Sequence, residues 1–192
     1  MEKNPSGKKV LMLHKLKGYE VTRPKSLVNS QTIYSLLPSE FHSGDWVPVG
    51  RLDKDSTGLL LFVKAGPLVY RLQSPGNLQK VYEVWVKGRV HQEQIEQMQE
   101  GVKVGNVLLK ALRVDILGVV GSNTLLRIIL DEGKNRHIRK MIGKVKDTKH
   151  GRFFKVFDLS RISIGPVALD LQPGGWRFLT EKETDRLLDF GN

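Results

Sequence analysis

The longest unbroken apolar run in this 192-residue chain is Leu59-Leu60-Leu61-Phe62-Val63. A run that short, bounded by polar residues, reads as a strand covered on both faces, and it falls far below the ~20 apolar residues of a membrane-spanning helix. The chain is therefore expected to build a sheet with a buried centre. The stretch feeding that strand, Val49-Gly50-Arg51-Leu52-Asp53-Lys54-Asp55-Ser56-Thr57-Gly58, is a polar loop bracketed by two glycines. Such a loop presents its carboxylates from a rigid edge. Asp53 follows a permanent cation, Arg51, by two residues, a plausible place for a reactive carboxylate.

Two other readings compete for the same residues. Asp-x-Asp-Ser-Thr-Gly is ordinary turn chemistry, since Asp, Ser and Thr side chains bond their own backbone and Gly takes positive φ. The six residues also imitate the start of a calcium loop, but the twelfth position is Lys64 where a bidentate Glu belongs, and the residues between are strand-like. Calcium is rejected.

Charge points to the partner. The chain carries 31 Lys and Arg against 20 Asp and Glu, a net +11, so a polyanion is expected, with nucleic acid the default. It has no cysteine, which excludes disulfides and thiolate metal sites and is compatible with a reducing compartment. The N-terminal residues 1–8 read as a flexible basic tail, and the apolar run Val10 to Leu13 is too short for a signal segment. A cytoplasmic, soluble protein with one catalytic domain over residues 9–192, two lobes sharing one sheet, is the expectation.

Along the chain, Val10 to Leu13 is a first strand ending in the basic turn His14-Lys15-Leu16-Lys17-Gly18, which either touches phosphate or is a solvated strand end. Ser30 is placed as the cap of a short helix carrying Ile33, Leu36 and Leu37, with residues 39–48 irregular. A short helix holds Leu68, Val69 and Leu72. Residues 81–88 form a strand with Tyr82, Val84 and Val86 on one face and Val81, Glu83, Trp85 and Lys87 on the other. Tyr82 is either a packing residue or a ring at a cleft edge able to stack on a base. A surface helix over 91–100 buries Ile95 and Met98, and strands near 110–118 and 124–130 flank the turn Gly121-Ser122-Asn123. The tail holds one or two strands over 153–164 and a last helix opened by the capping box Thr180-x-x-Glu183.

The second informative stretch is Asp131-Glu132-Gly133-Lys134-Asn135-Arg136-His137-Ile138-Arg139-Lys140-Met141-Ile142. Apolar residues at 138, 141, 142 and 145 make a helical stripe, and from Lys134 to Lys155 there are nine Lys or Arg against one acid, Asp147. The cluster begins in a loop at the start of that helix, where backbone N–H groups favour phosphate. Gly-rich phosphate loops, a Gly-x-Ser-x-Gly nucleophile and His pairs at metal spacing are not found in the sequence.

Taken in order, Gly50-Arg51-Leu52-Asp53 with Thr57-Gly58-Leu59-Leu60, Lys80-x-Tyr82, Glu132-Gly133-Lys134-Asn135-Arg136-His137-Ile138-Arg139-Lys140-Met141, Ile164-Gly165-Pro166 and Gly175-Trp176-Arg177-x-Leu179-Thr180 resemble the RsuA/RluE family of ribosomal RNA pseudouridine synthases. The likeness runs from about residue 9 to residue 183 and is strongest to RluE-like members, which lack a separate N-terminal S4 RNA-binding domain. It implies an α+β pseudouridine synthase fold, a long central, mostly antiparallel sheet flanked by helices with a basic cleft. It also implies that Asp53 is the catalytic acid, Tyr82 the active-site phenol and Arg139 the ion-pair partner of Asp53. RNA contacts fall to Arg51, Lys80, Lys134, Asn135, Arg136, His137 and Lys140, with no metal and no cofactor.

These assignments are chemically coherent. Converting uridine to pseudouridine breaks the N1 to C1′ bond, rotates the base and rejoins it through C5, which a nucleophilic carboxylate can carry alone. A neighbouring guanidinium favours the charged carboxylate. The uridine must leave its stack first, and Tyr82 offers a face for the extruded base. Three departures stand out: the first loop reads Lys15-Leu16-Lys17-Gly18 where the family has Lys-Pro-x-Gly, His137 replaces Gln, and residues 143–155 form a longer connection with a basic loop over 147–152 that is expected to add RNA contacts. The reading is a monomeric synthase acting on ribosomal RNA, large-subunit RNA favoured, free or in a partly assembled subunit. The alternatives are a non-catalytic ribosomal RNA-binding or assembly factor and a DNA-binding surface.

Overall fold

A computed structural model describes residues 9–23, 31–42, 44–74 and 78–190. The expected N-terminal tail over residues 1–8 and the helix cap at Ser30 lie outside these residues. The chain forms two compact units: residues 79–161 make the second, and the chain on either side of them makes the first. The architecture is α+β, as expected.

The first unit begins with β1 (Val10–Lys15), two short 3-10 turns at Ile33–Leu36 and Ser39–Phe41, β2 (Trp46–Pro48), β3 (Thr57–Lys64) and α1 (Pro67–Gln73). The segment 39–48, expected to be irregular, thus contains a 3-10 turn and a strand. The second unit holds β4 (Lys80–Lys87), α2 (Gln92–Glu100), β5 (Val102–Val104), β6 (Val107–Leu109), β7 (Arg113–Val120), β8 (Asn123–Leu130), α3 (His137–Ile142), β9 (Lys146–Asp147) and β10 (Arg152–Phe153). Strand β11 (Lys155–Ile164) passes the boundary, and β12 (Val167–Ala168), β13 (Trp176–Phe178) and α4 (Glu181–Asp189) complete the first unit.

In the first unit β1 lies between β13 and β3, and β2 adds to β3, all antiparallel. Both faces of the β1–β3 pair are covered, which is why β3 shows a continuous apolar run instead of alternation. Val10, Met12, Leu59, Leu61 and Val63 pack with Leu72, Leu78, Ile164, Val167, Leu187 and Leu188, while Leu11, Leu13, Leu60 and Phe62 are equally buried. Phe62 meets the ring of Tyr34 edge-on at 5.9 Å. Helix α4 opens with the expected capping box, Thr180 accepting from the Glu183 N–H and Glu183 accepting from the Thr180 N–H.

In the second unit β4 pairs antiparallel with β8, which pairs antiparallel with β7. Alternation along β4 is clean: Tyr82, Val84 and Val86 are buried, and Val81, Glu83 and Trp85 are half-exposed. Ile95 and Met98 of α2 are buried as expected. Helix α3 corrects one expectation. The apolar stripe reaches Val145, but the helix ends at Ile142, because Gly143 caps it and Val145 is carried on by a turn. With six residues its summed dipole is small, so the helix terminus gives little of the phosphate affinity expected there.

Candidate active site

The β2–β3 connection holds the Asp53 loop. Gly50 has φ 77°, a left-handed backbone that glycine adopts without strain, and Gly58 has φ 105° at the other bracket. Between them the Ser56 N–H donates to the Asp53 carbonyl at 3.0 Å, closing a turn, and the Val49 N–H donates to Leu61 at 2.7 Å, fixing the loop's root to β3. Asp53 is half-buried and Arg51 exposed.

The loop's main anchor lies on another strand. Lys15, at the end of β1, is 0% exposed, and its ammonium donates to the carbonyls of Ser56 at 2.6 Å, Leu16 at 3.0 Å and Lys54 at 3.2 Å. All three ammonium donors are thereby used. Burial lowers its pKa from 10.5 to about 8, with the charges of Asp55 and then Asp53 pulling the other way. The basic turn at residues 14–18 was expected to touch phosphate or to be a solvated strand end. For Lys15 the structure shows neither: it is an internal clamp on the loop that carries Asp53. The Gly18 N–H adds a bond to the Lys54 carbonyl at 2.8 Å, and the Lys54 ammonium pairs with Glu20 at 3.1 Å. Lys15 is the residue that the sequence pointed to least clearly; its only signal was the Lys-x-x-Gly remnant of the family's first loop.

The second unit carries Lys80, Tyr82 and the basic stretch. Tyr82 is 7% exposed and stands opposite Ile128 in the β4–β8 ladder, so much of its ring is packed. Lys80 leads into β4 with its pKa lowered, first by burial and then by the charge of Arg161, while Asp131 acts in the other direction. Arg139, half-buried on α3, reaches the carbonyl of Val156 at 3.5 Å. Arg136 caps α3 with φ 52° and ψ 35°, the one non-glycine residue with positive φ among the described residues. A left-handed backbone is costly for an arginine, and the residue is exposed. Lys134 pairs with Glu132 at 2.7 Å, and Lys140 donates to the side-chain oxygen of Asn135 at 3.2 Å.

His137, expected among the RNA contacts, is buried. It is 4% exposed, and neither ring nitrogen reaches a hydrogen-bond partner, Glu132 lying 3.7 Å from Nδ1. Burial holds its pKa below 6.5; Glu132 opposes this, Lys134 reinforces the lowering, and the Lys110 backbone opposes it weakly. The ring at the start of α3 thus presents little surface to a partner.

Among the described residues no helix is long and apolar enough to cross a membrane. The family described as RNA pseudouridylate synthase matches residues 9–144, more than half of the chain. An uncharacterized RNA pseudouridine synthase of Bacillus subtilis, YtzG, is 34% identical over 177 residues, which cover 90% of this chain and 70% of that protein. Ribosomal large subunit pseudouridine synthase B of Buchnera aphidicola is 33% identical over 182 residues, 93% of this chain and 70% of its own. A crystal structure of a pseudouridylate synthase superposes with a TM-score of 0.74 at 28% identity, covering 94% of this chain and 74% of that one.

Proposed function

We propose, from the premise that the chain belongs to the RNA pseudouridylate synthase family, that it isomerises a particular uridine of ribosomal RNA through Asp53, as a single chain and without a cofactor. The observation that supports this most strongly is the clamp on the Asp53 loop. A reacting carboxylate must be held within a fraction of an ångström, and two loop carbonyls, of Lys54 and Ser56, tied to one buried ammonium restrict the loop in that way.

In this reading Asp53 is the nucleophile that assists departure of the base from C1′, and the same base rejoins the sugar through C5, so that atoms balance without a second substrate. Tyr82 takes the extruded base, and Arg139 takes the role of the cation in the reaction. Arg51, Lys80, Lys134, Asn135, Arg136 and Lys140 hold phosphates on either side of the target.

The test is direct. Ribosomal RNA lacking pseudouridine is incubated with wild type and with Asp53→Asn, and modified uridines are mapped. Wild type is expected to convert a defined position and Asp53→Asn none. Equal conversion by both overturns the role of Asp53, and binding without conversion by either points to an assembly factor.

A further inference from the structure

The second unit holds a cavity of about 760 Å³ that the catalytic reading does not use. It opens where β4 ends and β8 begins, at the pair Lys87–Asn123, and its other wall is the β9–β10 turn. Five permanent cations line it, Lys87, Arg89, Lys149, Arg152 and Lys155, all with exposed side chains. The volume is in the range of sites that take drug-sized ligands, about 300–1,000 Å³, and admits a nucleotide with its phosphates.

The one acid in the lining, Asp147, is engaged internally. Its Oδ1 accepts from the backbone N–H groups of Lys149 at 3.0 Å and His150 at 3.2 Å, and its Oδ2 is 2.7 Å from His150 Nδ1. The turn is closed again by the Gly151 N–H on the Asp147 carbonyl at 2.8 Å. Asp147 thus shapes the turn that displays Lys149 and Arg152, and its charge is offset locally.

The floor is aromatic. A Cβ on Gly88 would come within 2.7 Å of the Phe154 ring, so only glycine lets that ring lie against the β4 terminus. Next to it Phe153 is 53% exposed, with the Lys146 ammonium 5.4 Å from its centroid. An exposed ring among cations at a concave site suits an unstacked base attached to phosphates; a duplex offers no free base face, and an acidic peptide gains nothing from the ring.

We propose that this cavity binds a single-stranded RNA segment flanking the modified uridine, an accessory subsite that sets affinity and substrate choice without taking part in the isomerisation. The inference rests on the reading above that the substrate is RNA. It adds a site made wholly of second-unit residues, none of them Asp53, Tyr82 or Arg139.

Anisotropy of a fluorescein-labelled RNA hairpin, bare or extended by a single-stranded tail, tests it on the full chain carrying Asp53→Asn, which binds without turnover. The tail is expected to tighten binding about tenfold, and Lys149→Ala with Arg152→Ala to abolish that gain while reducing the salt slope by about 1.4, or ~0.7 for each lost single-strand contact. Phe153→Ala is expected to weaken tailed RNA about tenfold and Phe153→Tyr to restore it. In the chain that retains Asp53, the double variant is expected to raise the RNA concentration needed for half-maximal rate and leave the single-turnover rate at saturation unchanged.

A tail that adds nothing overturns the proposal, as does a duplexed tail or an acidic peptide that competes equally well, or a collapse of the saturated rate. Absence of isomerisation by the wild type overturns the underlying reading instead, and the anisotropy arm registers that separately because it involves no chemistry.

Discussion

The ammonium of Lys15 donates to the carbonyl of Ser56, 41 residues further along the chain, at 2.6 Å, with no solvent exposure of the lysine. One side chain thereby couples the end of β1 to the loop that carries Asp53. Because the acceptors are carbonyls, the lysine fixes backbone and leaves both loop carboxylates to other partners.

Lys15→Met is therefore expected to damage turnover more than substrate binding. It removes the ammonium's bonds to the Lys54 and Ser56 carbonyls, and a loop displaced by about 1 Å is expected to lower kcat by about a hundredfold with KM little changed. Faster hydrogen exchange at the loop amides, measured alongside, would attribute the loss to positioning; protected amides with lost activity would contradict it.

The pH dependence of this clamp has two opposite signs. Its folded-state pKa of about 8 is below the unfolded value of 10.5, so between them the folded chain binds fewer protons and this group's contribution to stability rises with pH. Activity is expected to fall over the same window as the loop loses its cation. A pH-rate profile with an alkaline limb near 8 that is absent in Lys15→Met would bear this out.

Arg177 binds Asp170 and Glu183 at once, with 2.7 Å contacts to each, and Glu183 also closes the α4 capping box. The Arg177 guanidinium lowers the Glu183 pKa from 4.5 to about 2; burial, the next largest effect, opposes it, and the Thr180 contacts add to the lowering. A depressed carboxyl contributes stability above 4.5 that is lost as pH falls toward 2. Glu183→Gln is expected to cost about 1–2 kcal/mol at neutral pH, roughly 2–8 °C in Tm, and almost nothing near pH 2. Thermal melts at both ends of that range test it, and an equal loss at each would refute the ion-pair account.

His137 predicts acid sensitivity. Its folded-state pKa is below 6.5, so as pH falls through that value the unfolded chain gains a proton that the folded chain resists, and stability declines. His137→Gln is expected to remove this decline and to keep RNA affinity within about twofold, since the ring is covered. Urea midpoints on either side of the histidine range, compared with RNA binding, separate these effects; a tenfold drop in affinity would return His137 to the RNA surface.

Much of the first unit's design was legible in advance. The Leu59–Val63 run identified a strand buried on both faces, and the bracketing glycines marked the loop before it. The alternation of β4 and the Thr180 capping box were also legible, because each depends on neighbours a few residues away. The short extent of α3 and the burial of His137 were not legible, for the converse reason. A stripe of apolar residues continues through Val145, yet the chain needs that residue in a turn, whose geometry depends on packing remote in sequence.

By itself, then, the sequence determined the class of fold, the strand and helix periods, the excess of positive charge and the order of motifs that assigns the family. Only the tertiary structure decided that Lys15 faces inward onto the Asp53 loop, that His137 is covered, and that Lys87, Arg89 and the 147–155 segment meet around one cavity. Periodicity and turn chemistry act over a few residues and are written in local spacing. A buried ammonium's choice of carbonyls, or the gathering of cations from separate strands, depends on which backbones the sheet brings side by side.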